Sequence, residues 1–338
     1  MKINIKVFKA LLGAALAVCV LTLTVVTVSH AGTRNGIIAD APRGATEAEP
    51  FTVLVAGCDR VSGLTDVLML VSAKADGGIS VLQIPRDTYA AYTEKTYKKI
   101  NGAYAQLGGE GLKDFISQSF GVDVDRYMVL SPDAFCEVVD SLGGIEVEVA
   151  RTLYYNDPAQ ELYIHITKGR HLLDGRLAEQ LVRYRAGYTD GDLGRMDTQK
   201  AVMYALMQRL LESSDGEIPY RLFDALAGKV DTDMTLSDVG LLSDAAKNTE
   251  KDGIFFVTAP GKAITAKKSG ASYYVLSAPA MDELKHRLLA RQIGEFDAKG
   301  LFSNSANKDF LKIYGEYADY TVYSAEDIAE GGAGIIEY

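Results

Sequence analysis

Three apolar runs follow one another in quick succession at residues 51–57 (FTVLVAG), 67–73 (VLMLVSA) and 79–85 (ISVLQIP). Each is short and rich in Val, Leu and Ile, so each reads as a strand buried on both faces. Ala75-Asp76-Gly77-Gly78 supplies the turn between the second and third. Strands of this kind need helices packed over them, and the rest of the chain provides helical patterns. Gly111 to Phe120 reads as a helix ended by Gly121, and Tyr127 to Leu130 as a further short strand. Ser131-Pro132-Asp133 is a helix start, with cap, proline and acid in the favoured order. Phe135, Val138, Val139 and Leu142 then share one face, and Gly143 closes that helix. Ile145 to Val149 alternates apolar and acidic residues, as a half-buried strand does.

The same reading continues downstream. Asp174 caps a helix through about Tyr184, and Arg195 to Leu211 is a longer helix whose apolar stripe is core packing. Helices near 219–227 and 236–247 come next. Strands at Ile254–Val257 and Tyr273–Leu276 and a helix at Pro279–Leu289 follow. Strands and helices interleave, which makes the class α/β: one domain, with a central mixed β-sheet flanked by helices. It spans 51–290. Residues 291–338 are weakly patterned, with seven aromatics between Phe296 and Tyr323, and read as a C-terminal appendage.

The N-terminus is of another kind. Ala10 to Val28 is a run of 19 uncharged residues, about 28 Å as a helix, which matches the hydrocarbon core of a bilayer. Lys2, Lys6 and Lys9 precede it without an acid, so the N-terminus (1–9) is expected in the cytoplasm and the body outside. Ser29-His30-Ala31 also fits a signal-peptide cleavage site. The anchor is favoured because the apolar stretch exceeds a usual signal core. Residues 29–50 read as a linker.

Charge narrows the chemistry. The 338 residues carry 35 Lys and Arg against 45 Asp and Glu. Without the three N-terminal lysines the body is more acidic still. It lacks the broad basic face that nucleic acid requires, so an anionic ligand must be met by a local arginine cluster or a metal. The four histidines are scattered without a zinc pattern, and Cys58 and Cys136 read as small buried residues. There is no GxSxG, GxxxxGK[ST] or GxGxxG loop.

Some polar residues stand where a bare fold does not need them. Asp59 follows the first strand directly and Asp66 precedes the second. Two carboxylates flanking one short loop suit a hard divalent cation; they also suit a turn and a strand cap. Arg86 follows the third strand, at the edge where α/β sheets bind ligands; it also suits a surface pair with Asp87. Between positions 183 and 195 lie Arg183, Arg185 and Arg195 with Asp190 and Asp192. Guanidinium forks and a helix N-terminus suit phosphate oxygens, whereas the helix dipole accounts for only one of the three arginines. Arginine, aspartate and a metal make an inventory for phosphoryl transfer.

These stretches resemble the LytR-CpsA-Psr family of cell-wall glycopolymer transferases. The resemblance is carried by VLVAGCD (53–59), TDVLMLVSA (65–73), ISVLQIPRDTY (79–89), KINGAYAQLGG (99–109), VDSLGGIEVEV (139–149), KGRHLLDGRLAEQLVRYR (168–185) and GDLGRMDTQK (191–200). It implies an extracytoplasmic, single-pass membrane phosphotransferase. Such a protein moves a glycopolymer of the teichoic acid or capsular type from a polyprenyl-pyrophosphate carrier to peptidoglycan. Mg²⁺ is the implied cofactor, pyrophosphate hydrolysis a side activity, and an apolar pocket receives the lipid. By resemblance Asp59 and Asp66 are the metal-linked aspartates. Arg86, Arg183, Arg185 and Arg195 meet the pyrophosphate, and Lys99 and Gln199 add head-group contacts. Two positions depart from the pattern: Leu64 and Thr198 stand where the family usually and often, respectively, has Arg. The alternative these departures raise is a non-catalytic lipid-carrier or glycopolymer binding module with a regulatory role.

Overall fold

The computed structural model describes residues 50–329 apart from 60–61, 75–76, 93–98, 159–161, 185–191, 213–221, 223–225, 227–228, 236, 239–240, 243–244, 246–248, 250–252, 268, 290–291, 297–300 and 302–307. The expected anchor at 10–28 and nearly all of the linker lie outside the described residues. Among those described, no helix is long and apolar enough to cross a membrane.

Strands β1 (Phe51–Cys58), β2 (Thr65–Ala73) and β3 (Ile79–Gln83) form where the apolar runs lie. A 3-10 turn at Ile100–Gly102 leads into α1 (Ala103–Phe120), followed by β4 (Arg126–Leu130), α2 (Pro132–Ser141) and β5 (Ile145–Val149). Next come β6 (Leu153–Asp157), β7 (Leu162–Ile166), β8 (Gly169–Leu173), α3 (Gly175–Arg183) and α4 (Asp192–Glu212). The chain continues through β9 (Val230–Thr232), β10 (Ile254–Thr258), β11 (Gly261–Thr265), β12 (Ser272–Leu276) and α5 (Ala278–Leu288). It closes with α6 (Lys308–Gly315), β13 (Val322–Ser324) and α7 (Ala325–Ala329).

The central sheet has seven strands in the order β13-β10-β3-β2-β1-β4-β9. β1 runs parallel to β4 and β3 to β10, and the other neighbours are antiparallel, so the sheet is mixed. Alternation sends Val53, Val55, Met69 and Val71 to one face, against Val138 of α2, Leu181 of α3 and Leu206 of α4. Leu54, Ala56, Leu68 and Leu70 go to the other, against Ile116 of α1, Met281 of α5 and Phe310 of α6. Both faces are covered, which is why Val, Leu and Ile dominate these strands.

Local signals set the helix ends. Ser131 Oγ accepts from the Ala134 N–H at 3.1 Å, and Asp174 Oδ1 from the Leu177 N–H at 2.8 Å. Gly175 opens α3 directly on α2: a Cβ there would lie 2.2 Å from the Cys136 carbonyl oxygen. α1 begins eight residues before the expected Gly111, passing through Gly108 at φ 71°. The expected helices near 219–227 and 236–247 fall largely outside the described residues. Within 291–338, β13 pairs antiparallel with β10 and supplies an edge strand of the main sheet.

Candidate active site

The site begins with an irregularity in β2. Gly57 pairs with Val67 and Cys58 with Thr65, which leaves Asp66 as the extra residue of a β-bulge. Bulges re-aim a side chain out of the regular alternation. The Asp66 carboxylate accepts from Arg86 Nη1 at 2.5 Å, and its backbone carbonyl accepts from Arg195 Nη2 at 3.3 Å. Arg86 arrives just past the end of β3, and Arg195 arrives from the first turns of α4, where it is 1% exposed. Three segments distant in sequence thus converge on one residue.

A second set lies alongside. Gln199, one turn beyond Arg195, donates its Nε2 to the Val182 carbonyl at 3.4 Å and accepts from Gln83 Nε2 at 2.7 Å. Both glutamines are buried. Arg183, in the last turn of α3, donates to Glu179 Oε1 at 3.0 Å. Lys99 Nζ sits 2.9 Å from Asp87 Oδ1 and 5.9 Å from the centre of the Tyr273 ring; the Asp87 carboxylate also lies 4.0 Å from Arg86 Nε. Arg86, Lys99 and Arg183 each hold a carboxylate.

Asp59 sits in the β1–β2 loop. Its Oδ1 accepts from the Ser62 N–H at 2.5 Å, and its other oxygen from the Ser62 hydroxyl. Gly63 at φ 66° completes the turn, and the Asp59 N–H closes it on the Leu64 carbonyl at 2.9 Å. The carboxylate is therefore shaped by a turn, one of the two roles its spacing suggested. Among the described residues no three His, Cys, Asp or Glu are grouped to hold a metal. Asp59 and Asp66 carry oxygen donors of the kind a magnesium ion takes alongside phosphate and water. Burial, with smaller contributions from the charges of Asp59 and Asp231, pushes the Cys58 thiol up, which disfavours a thiolate nucleophile.

Of the expected residues, Asp66, Arg86 and Arg195 meet directly, Gln199 and Arg183 adjoin them along α3 and α4, and Lys99 is linked through Asp87. Arg185 and Asp190 lie outside the described residues. Leu64 is 37% exposed beside the bulge, and Thr198 is fully buried with its hydroxyl on the Gly194 carbonyl at 3.3 Å. Sequence reasoning passed over Gln83 and Glu179. Glu179 stands four residues before Arg183, and that spacing on a helix was the available signal. Gln83 is a lone amide inside a run of Val, Leu and Ile, and that polarity was its signal.

Residues 25–290 match the LytR_cpsA_psr family. The chain belongs to that family. Among its relatives is TagU of Halalkalibacterium halodurans, a polyisoprenyl-teichoic acid–peptidoglycan teichoic acid transferase. The two are 30% identical over 214 residues, covering 60% of this chain and 68% of that protein. Solved structures agree on the LytR_cpsA_psr fold. Protein gbs0355 from Streptococcus agalactiae superposes with a TM-score of 0.66 at 18% identity, covering 80% of this chain and 97% of the other. TagV from B. subtilis does so with a TM-score of 0.60 at 23% identity, covering 72% and 96%. The mixed central sheet flanked by helices is thus the family's architecture.

Proposed function

We propose that this member of the family is an extracytoplasmic transferase that moves a glycopolymer from a polyprenyl-pyrophosphate carrier to peptidoglycan. The observation that carries the reading is the convergence of Arg86 and Arg195 on Asp66, in a chain whose relative TagU bears a transferase name. Arg86, Arg183 and Arg195 meet the pyrophosphate, Arg185 joins them by the family resemblance, and Lys99 and Gln199 add contacts to its oxygens. Guanidinium groups suit this task because their charge persists at any working pH and their forks match phosphate oxygens.

A hydroxyl of a peptidoglycan sugar attacks the phosphorus that bears the glycopolymer. The new O–P bond forms as the bond from that phosphorus to the bridging oxygen breaks. The electron pair leaves with polyprenyl monophosphate, where the arginines neutralise it. The hydroxyl proton passes to one of the two aspartates, Asp59 or Asp66. Mg²⁺, with Asp59 and Asp66 as its protein ligands, supplies further charge neutralisation when bound. Water in place of the sugar hydroxyl gives the pyrophosphatase side reaction. The lipid lies in an apolar pocket between sheet and helices, and residues 10–28 anchor the protein with its body outside the membrane.

The exposed Leu64 favours a second reading, a polyprenyl-phosphate or glycopolymer binding module, because it places an apolar side chain where relatives usually put a cation. Incubating the full chain in detergent with a lipid-linked saccharide and peptidoglycan fragments separates the two. Covalent attachment of the saccharide to the fragments supports the transferase. Retention of the lipid without attachment supports the binding module.

A further inference from the structure

The amide pair beside the arginines has a fixed orientation. A backbone carbonyl only accepts, so the Gln199 atom facing Val182 is Nε2 and its Oε1 turns to Gln83. That contact needs a donor, so Gln83 gives its Nε2 and its Oε1 takes no part in the contact. Gln83 is 1% exposed, and its Oε1 has no hydrogen-bond partner among the described residues. The same holds for Oγ1 of Thr88, which is fully buried on the same segment. Arg86 stands between the two in sequence. A buried amide oxygen without a donor is a costly arrangement that native structures rarely keep without a reason.

The substrate's chemistry narrows what meets this oxygen. At neutral pH the bridging pyrophosphate offers acceptors only, and a polyprenyl chain offers no polar group. The donors belong to the saccharide joined to the pyrophosphate, through its hydroxyls or an N-acetyl N–H. We infer that Gln83 is a specificity residue: its Oε1 accepts a hydrogen bond from the first sugar of the lipid-linked donor, while its Nε2 holds Gln199 toward the head group. This rests on the reading of the site as a pyrophosphate site. It adds the residue that reads the sugar next to the phosphorus. A site built to pair with a hydrogen-bond donor rejects the ligand that lacks it, because its own polar atom is then left unpaired.

The test compares two ligands on the full chain in detergent: farnesyl diphosphate, and farnesyl diphosphate carrying N-acetylglucosamine. Dissociation constants are measured for the wild type, Gln83→Met, Gln83→Glu and Arg86→Ala. Met has similar length and no acceptor comparable to the amide oxygen, whereas Glu keeps an acceptor. The wild type should bind the sugar-bearing ligand at least tenfold more tightly. Gln83→Met should cut that ratio at least fivefold, Gln83→Glu should keep it, and Arg86→Ala should weaken both ligands alike. The ratio is insensitive to a general loss of folded protein, because both ligands are read on the same folded fraction. A wild type that does not discriminate, or a Gln83→Met variant that keeps the ratio, overturns the inference, with a buried water as the partner in the second case. If neither ligand binds the wild type, the pyrophosphate reading fails and the inference with it.

Discussion

Arg86 and Asp66 are twenty positions apart in the chain and joined by a 2.5 Å hydrogen bond at the bulge of β2. The pairing holds a guanidinium at the end of β3. Asp66→Asn keeps the shape and removes the charge. Its transfer rate should fall about a hundredfold, the usual scale for one electrostatic contact in a transition state. Arg86→Lys should not restore more than a small part of the rate lost in Arg86→Ala, because an ammonium lacks the planar fork. Steady-state kinetics on the purified full chain check both.

Glu179 is 7% exposed and engages Arg183 across one helical turn. Glu179→Gln leaves the helix intact but releases the guanidinium from its anionic partner. The KM for the lipid-linked donor should rise about fivefold with a smaller change in kcat, since a mobile arginine binds with a greater entropic loss. A fall in kcat with KM unchanged would place the effect of Glu179 in the transition state rather than in substrate binding.

Lys200 follows Gln199 on α4 and is 1% exposed, with its ammonium 2.7 Å from Asp197 and 5.7 Å from the centre of the Tyr323 ring. Burial lowers its pKa, and Asp197 only partly opposes that shift. A folded value below the unfolded value means that the unfolded chain binds more protons in the window between them. Stability from this group therefore rises as pH climbs through the lowered folded value toward the ordinary lysine value of about 10.4, and falls again as pH is lowered. Urea unfolding at a series of alkaline pH values should show a rise that Lys200→Met abolishes.

Leu64 exposes an apolar side chain next to Thr65 and Asp66. For an enzyme of weakened phosphate binding, Leu64→Arg should raise kcat/KM about tenfold or more, the value of one charged contact. In a dedicated binding module the same change should leave the transfer rate at background.

The parts of this fold written in local chemistry were legible. β1, β2 and β3 announce themselves by apolar runs, α2 and α3 by Ser131 and Asp174, and β5 by strict alternation, which the structure returns as alternately buried and exposed residues. α1 was read short because Gly108, Gly109 and Gly111 break its pattern. Tyr127 packs so near Gly109 that a Cβ there would come within 1.9 Å of its ring, a reason for glycine that no local window contains. The hairpin β6–β7 exposes Tyr154 and Tyr163, and its aromatic outer face blurs the alternation. β13 has three residues and exists because β10 offers it an edge. The site was legible as residues but not as contacts. Arg86 and Arg195 were visible as arginines out of place, but their meeting at Asp66 depends on a bulge that alternation alone does not reveal.

The central claim is pyrophosphate chemistry at Arg86 and Asp66. The most direct measurement follows polyprenyl monophosphate released from a lipid-linked saccharide by the full chain, with and without Mg²⁺, beside Arg86→Ala. We expect release that requires the cation and falls to background in the variant. Release that persists in Arg86→Ala at the wild-type rate would contradict the claim and place the chemistry elsewhere in the protein.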